Sequence, residues 1–273
     1  MRAVVITGAS SGIGEACALR LARSCFRVYA GVRRLEDAPD GTTPLVFDVT
    51  DAAAVATAAA RVREDAVELR GLVNNAGITV PAPLEFLPLD ELREQLDVNV
   101  IAQLGVTQAF LPMLRDARGR VVNMGSISGR SALPFLGAYA ASKFALEALT
   151  DSLRVELEPF GMHVSIVEPG TIATPIWRKG GERADAIAQR MPPEVGELYG
   201  ARIDAFRRAA AARGAQGASP DDVARAVEHA LTAERPKARY LVGKDAKLRA
   251  RVQRLPTGLR DRLIVRRLLG DGD

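Results

Sequence analysis

The chain opens on Ala3–Ile6, a short apolar run closed at once by Thr7 and Gly8. Comparable runs recur at Phe26–Val32, Leu45–Phe47, Gly71–Asn74, Arg120–Met124, Val164–Val167 and Arg239–Val242. They are short, apolar and rich in β-branched residues, as expected of strands buried on both faces. Between them lie segments with helical character: Ile13–Ala22, Ala52–Leu69, Asp90–Leu114, a stretch from Gly137 to about Glu158, and Asp221–Thr232. In Asp90–Leu114 the residues Leu92, Leu96, Val100 and Leu104 share one face. This alternation predicts an α/β fold, a doubly wound parallel sheet of about seven strands with helices on both faces. No linker divides the chain, so residues 1–273 are expected to form one domain.

Two stretches break the alternation. Residues 174–219 carry Trp177, Met191, Tyr199 and Phe206 and then a run of small residues. They are expected to form a mobile cover over a site. Residues 244–270 form a basic amphipathic tail with Leu259, Leu263, Ile264, Leu268 and Leu269 on its apolar side, broken by Pro256 and Gly258. It is expected to dock on its own domain or on a partner subunit, with peripheral membrane contact as the alternative.

Composition adds limits. The content, 48% hydrophobic and 26% charged, suits a soluble globular protein, and a net charge of +4 is too small to argue for a nucleic-acid partner. Cys17 and Cys25 have no metal-ligand spacing and no disulfide framework, and are expected to be reduced core thiols of a cytoplasmic protein. The first apolar run is too short for a signal peptide or a membrane span. No cluster suggests a metal, and His163 and His229 read as structural.

The chemistry begins at "TGASSGIG", Thr7–Gly14. Gly8, Gly12 and Gly14, with Ser10, Ser11 and Ile13 among them, lie between a strand and a helix. Such a turn lets backbone approach a pyrophosphate at a helix N-terminus, so it is expected to bind a dinucleotide. At the end of the second strand, "VYAGVRR" offers Arg33 and Arg34 and no carboxylate. Guanidinium groups match a 2′-phosphate, which favours NADP(H) over NAD(H), with Glu36 and Asp37 as the competing ribose ligands. Asp48 and Val49 follow the third strand, where the Asp48 carboxylate could accept from an adenine amino group. Thr50 or Asp51 there could cap the next helix. Within "GAYAASKFALEALTDSL", Tyr139 and Lys143 fall one turn apart on one helical face, among small neighbours.

"TGASSGIG", "NNAG" (Asn74–Gly77), Asn99, Ser126, "YAASK" and "PGTIAT" occur in one order. Over about residues 2–243 the chain resembles the short-chain dehydrogenase/reductase family in its common single-domain, Rossmann-like form. Its overall look, "RYLVGKDAKL" included, is most similar to the hydroxysteroid/retinol dehydrogenase branch. The resemblance implies that Tyr139 is the general acid or base, assisted by Lys143. It implies that Ser126, or Ser128 in competition with it, polarises the substrate oxygen, and that Asn99 holds a water beside Lys143 at a helix kink. It further implies that Asn74, Asn75, Ala76 and Gly77 support the cofactor, and that Pro169, Gly170, Ile172 and Thr174 meet its nicotinamide end. Subunits are expected to pair through the two long helices into a homodimer or homotetramer. Apolar Leu133, Phe135, Leu136, Ile176 and Trp177 predict a bulky lipophilic alcohol or carbonyl substrate. The competing functions are a catalytically silent NADP(H) sensor, and a lyase or dehalogenase of the kind that lacks the phosphate-binding glycines.

Overall fold

The computed structural model describes residues 1–215 and 217–268. Seven parallel strands form one sheet in the order β3-β2-β1-β4-β5-β6-β7. They are β1 (Arg2–Thr7), β2 (Arg27–Val32), β3 (Thr43–Val46), β4 (Glu68–Asn74), β5 (Arg120–Met124), β6 (His163–Pro169) and β7 (Arg239–Val242). The order reverses between β1 and β4, so the crevice beyond their carboxyl ends is where such a sheet binds its ligands. Helix α1 (Gly12–Arg23) and helix α8 (Pro220–Thr232) cover one face, with Leu21 and Val227 packed on Val4 and Ile6. The other face carries α2 (Ala52–Glu64), α4 (Ala102–Asp116) and α5 (Gly137–Leu157), with Val62, Phe110 and Leu157 packed around Val5 and Leu72. The doubly wound parallel sheet is therefore the fold.

Local chemistry fixes the boundaries. Asp51 Oδ1 accepts from the Ala53 and Ala54 amides, so Asp51 rather than Thr50 caps α2. Ser219 and Asp222 form a capping box at the start of α8, with Pro220 at its first position. The helix expected over Ala52–Leu69 stops at Glu64, and Leu69 belongs to β4. Asp65 closes the helix and Ala66 adopts φ +49°, which turns the chain before the strand. The helix expected over Asp90–Leu114 is interrupted. Helix α3 (Leu89–Leu96) is followed by a π-turn over Asp97–Ile101, and only then by α4. Asp97 and Asn99, with β-branched Val98, Val100 and Ile101, are weak helix formers, and the Ala102 amide reaches back to Asp97 O.

The expected cover is helical: α6 (Ile176–Ala188) and α7 (Glu194–Ala215). The tail forms α9 (Lys244–Val252) and α10 (Thr257–Leu268), broken at Pro256 as its sequence suggested; Leu269 lies outside the described residues. Helix α9 packs beside β7, and α10 packs on α7. Cys17 is buried, but Cys25 is exposed, at φ +61° in the turn that ends α1. The expectation of two core thiols therefore fails for Cys25, because the turn residue points away from the sheet. Among the described residues no helix is long and apolar enough to cross a membrane.

Candidate active site

A cleft of about 1750 Å³ runs along the carboxyl ends of the strands. One end is the first turn. Gly8 and Gly12 sit at φ +65° and +62°, conformations that L side chains rarely adopt. A Cβ on Gly14 would lie 2.2 Å from Gly8 O, and one on Gly8 would lie 2.8 Å from Ala76 Cα. The turn is therefore packed to backbone contact. Ser11 stands at the N-cap of α1 without a side-chain capping bond, and Ser10, Ser11 and Ile13 line the cleft. This is a cradle with free donors at a helix N-terminus, and it fits a dinucleotide's pyrophosphate.

Asn75 anchors the turn. Its Nδ2 donates to Thr7 O and Gly8 O, both at 3.0 Å, while Thr7 Oγ1 accepts from the Asn75 and Ala76 amides. Ala76 and Gly77 line the cleft beside it. Asn74 does not. It is buried under the strand ends, where its Nδ2 donates to Thr107 Oγ1 and Asn123 Oδ1. Its support for a cofactor is thus through the sheet alone.

The two arginines after β2 separate. Arg33 lines the cleft and makes no ion pair or hydrogen bond among the described residues. Arg34 is absent from the lining, because Asp37 takes both its Nε and Nη2 at 2.9 Å. Arg34 thus stands outside the lining, held by a bidentate partner three residues on, whereas Arg33 stands within it. Asp48 and Val49 line the cleft. Asp48 Oδ1 is occupied by the Thr50 amide and hydroxyl, which hold its carboxyl below the usual range.

At the centre, Ser126, Tyr139 and Lys143 converge. Ser126 ends β5 in extended backbone, and its Oγ accepts from the Ser128 amide at 3.1 Å, which leaves its proton free to donate. Tyr139 and Lys143 project from α5, with Nζ 5.7 Å from the phenol ring centroid. Lys143 is buried and donates to Met124 O at 2.7 Å. Burial lowers its ammonium to about 8, partly opposed by Glu147 one turn along. Burial also raises the Tyr139 phenol, while the Ser126 hydroxyl and the Arg249 guanidinium pull it back down. Ser128 lies instead toward Arg249, 3.5 Å from its Nη2.

Asn99 sits fully buried in the π-turn. Its Oδ1 accepts from the Ile78 amide, and its Nδ2 donates to Ile78 O and Ser142 Oγ. Both amide hydrogens are committed to protein partners. A water beside Lys143 would have to use the second Oδ1 lone pair or a carbonyl of the π-turn.

Behind Lys143 lies a partly buried charge cluster. Arg239 Nη2 meets Glu147 at 3.0 Å and Asp151 at 2.7 Å. Glu168 is fully buried, with Arg130 and Arg239 each 3.3 Å away but no well-directed hydrogen bond. Burial first, and Glu168 second, push the Glu147 carboxyl up to about 7.

A family model described as short chain dehydrogenase matches residues 2–185. The chain is a short-chain dehydrogenase/reductase. It falls in the retinol dehydrogenase-like branch of that oxidoreductase family. It is 40% identical to Retinol dehydrogenase 5 of Mus musculus, over 90% of this chain and 81% of that one. It is 36% identical to NADPH-dependent 3-dehydrocapnine reductase of Ornithobacterium rhinotracheale, over 98% of both. A short chain dehydrogenase from Burkholderia cenocepacia J2315, solved in complex with NADP, superposes with TM-score 0.74 at 28% identity, over 98% and 97% of the two chains.

In this dehydrogenase/reductase the turn after β6 closes the other end of the cleft. Pro169, Gly170, Ile172 and Thr174 all line it. Gly170 is required there, since a Cβ would fall 2.1 Å from Asp245 Oδ1, and Asp245 Oδ2 accepts from the Thr171 amide at 2.7 Å. Ile172 O is taken by the Trp177 indole at 2.8 Å, which pins the start of α6. Phe135 holds φ +61° and stacks edge-on against Tyr199 and Phe206 of α7. His163 and His229 are outside the cleft; His229 Nδ1 meets Tyr240 Oη at 2.8 Å.

Sequence reasoning missed Asp245, Arg249 and Arg213, which also line the cleft. The available signal was that residues 244–252 continue directly from a strand of the sheet, so their side chains had to lie near its carboxyl edge. Among the described residues no group of three or more His, Cys, Asp or Glu could hold a metal.

Proposed function

We propose that this chain is an NADP(H)-dependent oxidoreductase interconverting a bulky lipophilic secondary alcohol or other hydroxyl compound and its carbonyl form. The observation that carries this is that Ser126, Tyr139 and Lys143 open onto the same cleft as the glycine turn. A bound nicotinamide supplies the hydride acceptor or donor. In reduction the Tyr139 phenol gives its proton to the substrate oxygen, and in oxidation its phenolate removes one. The Lys143 ammonium stabilises that phenolate, offsetting the cost of burial. Ser126 donates to the same oxygen as charge develops, its own lone pair being fixed by Ser128. Apolar Leu133, Phe135, Leu136, Ile176 and Trp177 around the substrate end support a lipophilic ligand.

Arg33 supports the cofactor preference, because it is a guanidinium lining the cleft at the end of β2 that makes no ion pair or hydrogen bond among the described residues. Fluorescence titration with NADPH and NADH tests it. Wild type should favour NADPH, and Arg33→Ala should weaken NADPH about 10- to 100-fold, the worth of charge-assisted hydrogen bonds, with NADH nearly unchanged. Preference for NADH would sink the arginine argument. Binding of neither would sink the oxidoreductase reading. Exposed Ile101, Phe144 and Val155 on the outer helices support a homodimer or homotetramer, which light scattering of the purified protein decides.

A further inference from the structure

The two ends of the substrate half carry their charges differently. Near α3, arginines meet acids: Arg183 pairs with Glu91 and Glu94, Arg190 with Asp90 and Glu91, and Arg207 with Asp185. Beside the tail this balance fails. Arg213, half-buried on α7, makes no ion pair or hydrogen bond among the described residues. Arg249 on α9 donates from Nη2 to Ser131 O at 2.5 Å, yet its Nε is buried without an acceptor. Asp245, the acid nearest them, has one oxygen taken by the Thr171 amide. Burial lowers both guanidiniums, Arg249 to about 10, and Arg213 is lowered further by Arg267. The Asp245 charge offsets part of this for both, but one carboxylate, already bonded to the Thr171 amide, is shared between two partly desolvated cations, and a further anion between them lowers the remaining cost.

We propose that Arg213 and Arg249 form an anion subsite that takes the acidic head, of carboxylate type, of an otherwise lipophilic substrate. This rests on the oxidoreductase reading of the same cleft. Both arginines line it together with Leu248, Leu263, Phe206 and Trp177, so a charged end and an apolar chain are accommodated side by side. Arg249 also reaches Ser128, two residues from Ser126, which sets the head group close to the reacting carbon. Guanidinium forks suit carboxylate oxygens in pairs.

The test is calorimetric titration of the full chain, first without and then with saturating NADPH, with decanoate and with 1-decanol at low salt. Decanoate should bind at least tenfold more tightly than decanol, and the ratio should shrink in 0.5 M NaCl, as roughly expected of a partly exposed ion pair. Arg213→Gln, which breaks no hydrogen bond or ion pair among the described residues, should cut the ratio several-fold, and Arg249→Lys should keep more of it than Arg249→Gln. Equal binding by wild type, or a ratio unmoved in Arg213→Gln, overturns the proposal. Loss of decanoate binding when NADPH is added also overturns it, since the arginines would then serve the cofactor's phosphates. A parallel screen of ketones separates the two readings. Decanoate preference without turnover of any ketone sinks the oxidoreductase reading and with it the substrate role of the subsite, whereas ketone turnover without decanoate preference sinks the anion subsite alone.

Discussion

The cofactor half of the cleft is built from strand ends and backbone, while the substrate half is built from helices and long side chains. In the first half Gly14 has no room for a methyl group, and Asn75 ties two loops through carbonyls. In the second half α6 and α7 reach the body through Arg183, Arg190 and Tyr199, all by side-chain bonds to α3 or the loop before it. Backbone-built surfaces tolerate almost no substitution. Side-chain-built ones can be re-cut without disturbing the sheet, which is how one scaffold can serve many substrates.

The comparison is broken most sharply at its centre. Tyr139→Phe should lower kcat by about 10²–10⁴-fold, the usual worth of a positioned acid or base, and leave NADPH titrations unchanged. A loss of cofactor affinity instead would mean that the phenol belongs to the cofactor half. Next in size, Gly14→Ala should cost about 1–3 kcal/mol in denaturant unfolding and abolish tight cofactor binding, because Gly8 O cannot move without its own turn. A wild-type midpoint would show that the turn yields. Smallest is the charge cluster behind Lys143. The Glu147 carboxyl, raised to about 7 by burial, holds its proton better in the folded than in the unfolded chain. Its contribution is full below the ordinary carboxylate range and is lost as pH rises through about 7. Glu147→Gln should therefore flatten that fall in stability between about pH 4.5 and 7 by about 1–3 kcal/mol. Unfolding curves with the same pH slope as wild type would place the dependence on another group.

The sequence was most readable where local rules act alone. The strand Arg239–Val242 has the bounds its apolar run suggested, and the spacing of Gly8, Gly12 and Gly14 announced the cradle. Leu69 misled because it continues the apolar face of α2, and only Ala66 in a left-handed turn redirects it into β4. Arg33 and Arg34 are indistinguishable by composition, and Asp37 decides between them. The tail was harder still. Its arginines read as a solvated basic face, but Arg249 points inward because α9 starts where β7 ends, against the site. A charge run does not say which of its members a tertiary contact will turn around.

Helix α9 ties two loops at the mouth of the cleft to one rigid element. Asp245 and Arg249 stand one turn apart on it, the first bonded to the Thr171 amide and the second to Ser131 O. A single turn of helix is stiff, so the spacing between these two anchors is set by the helix rather than by the loops. The segment read from sequence as a tail is thus a strut of the cleft wall.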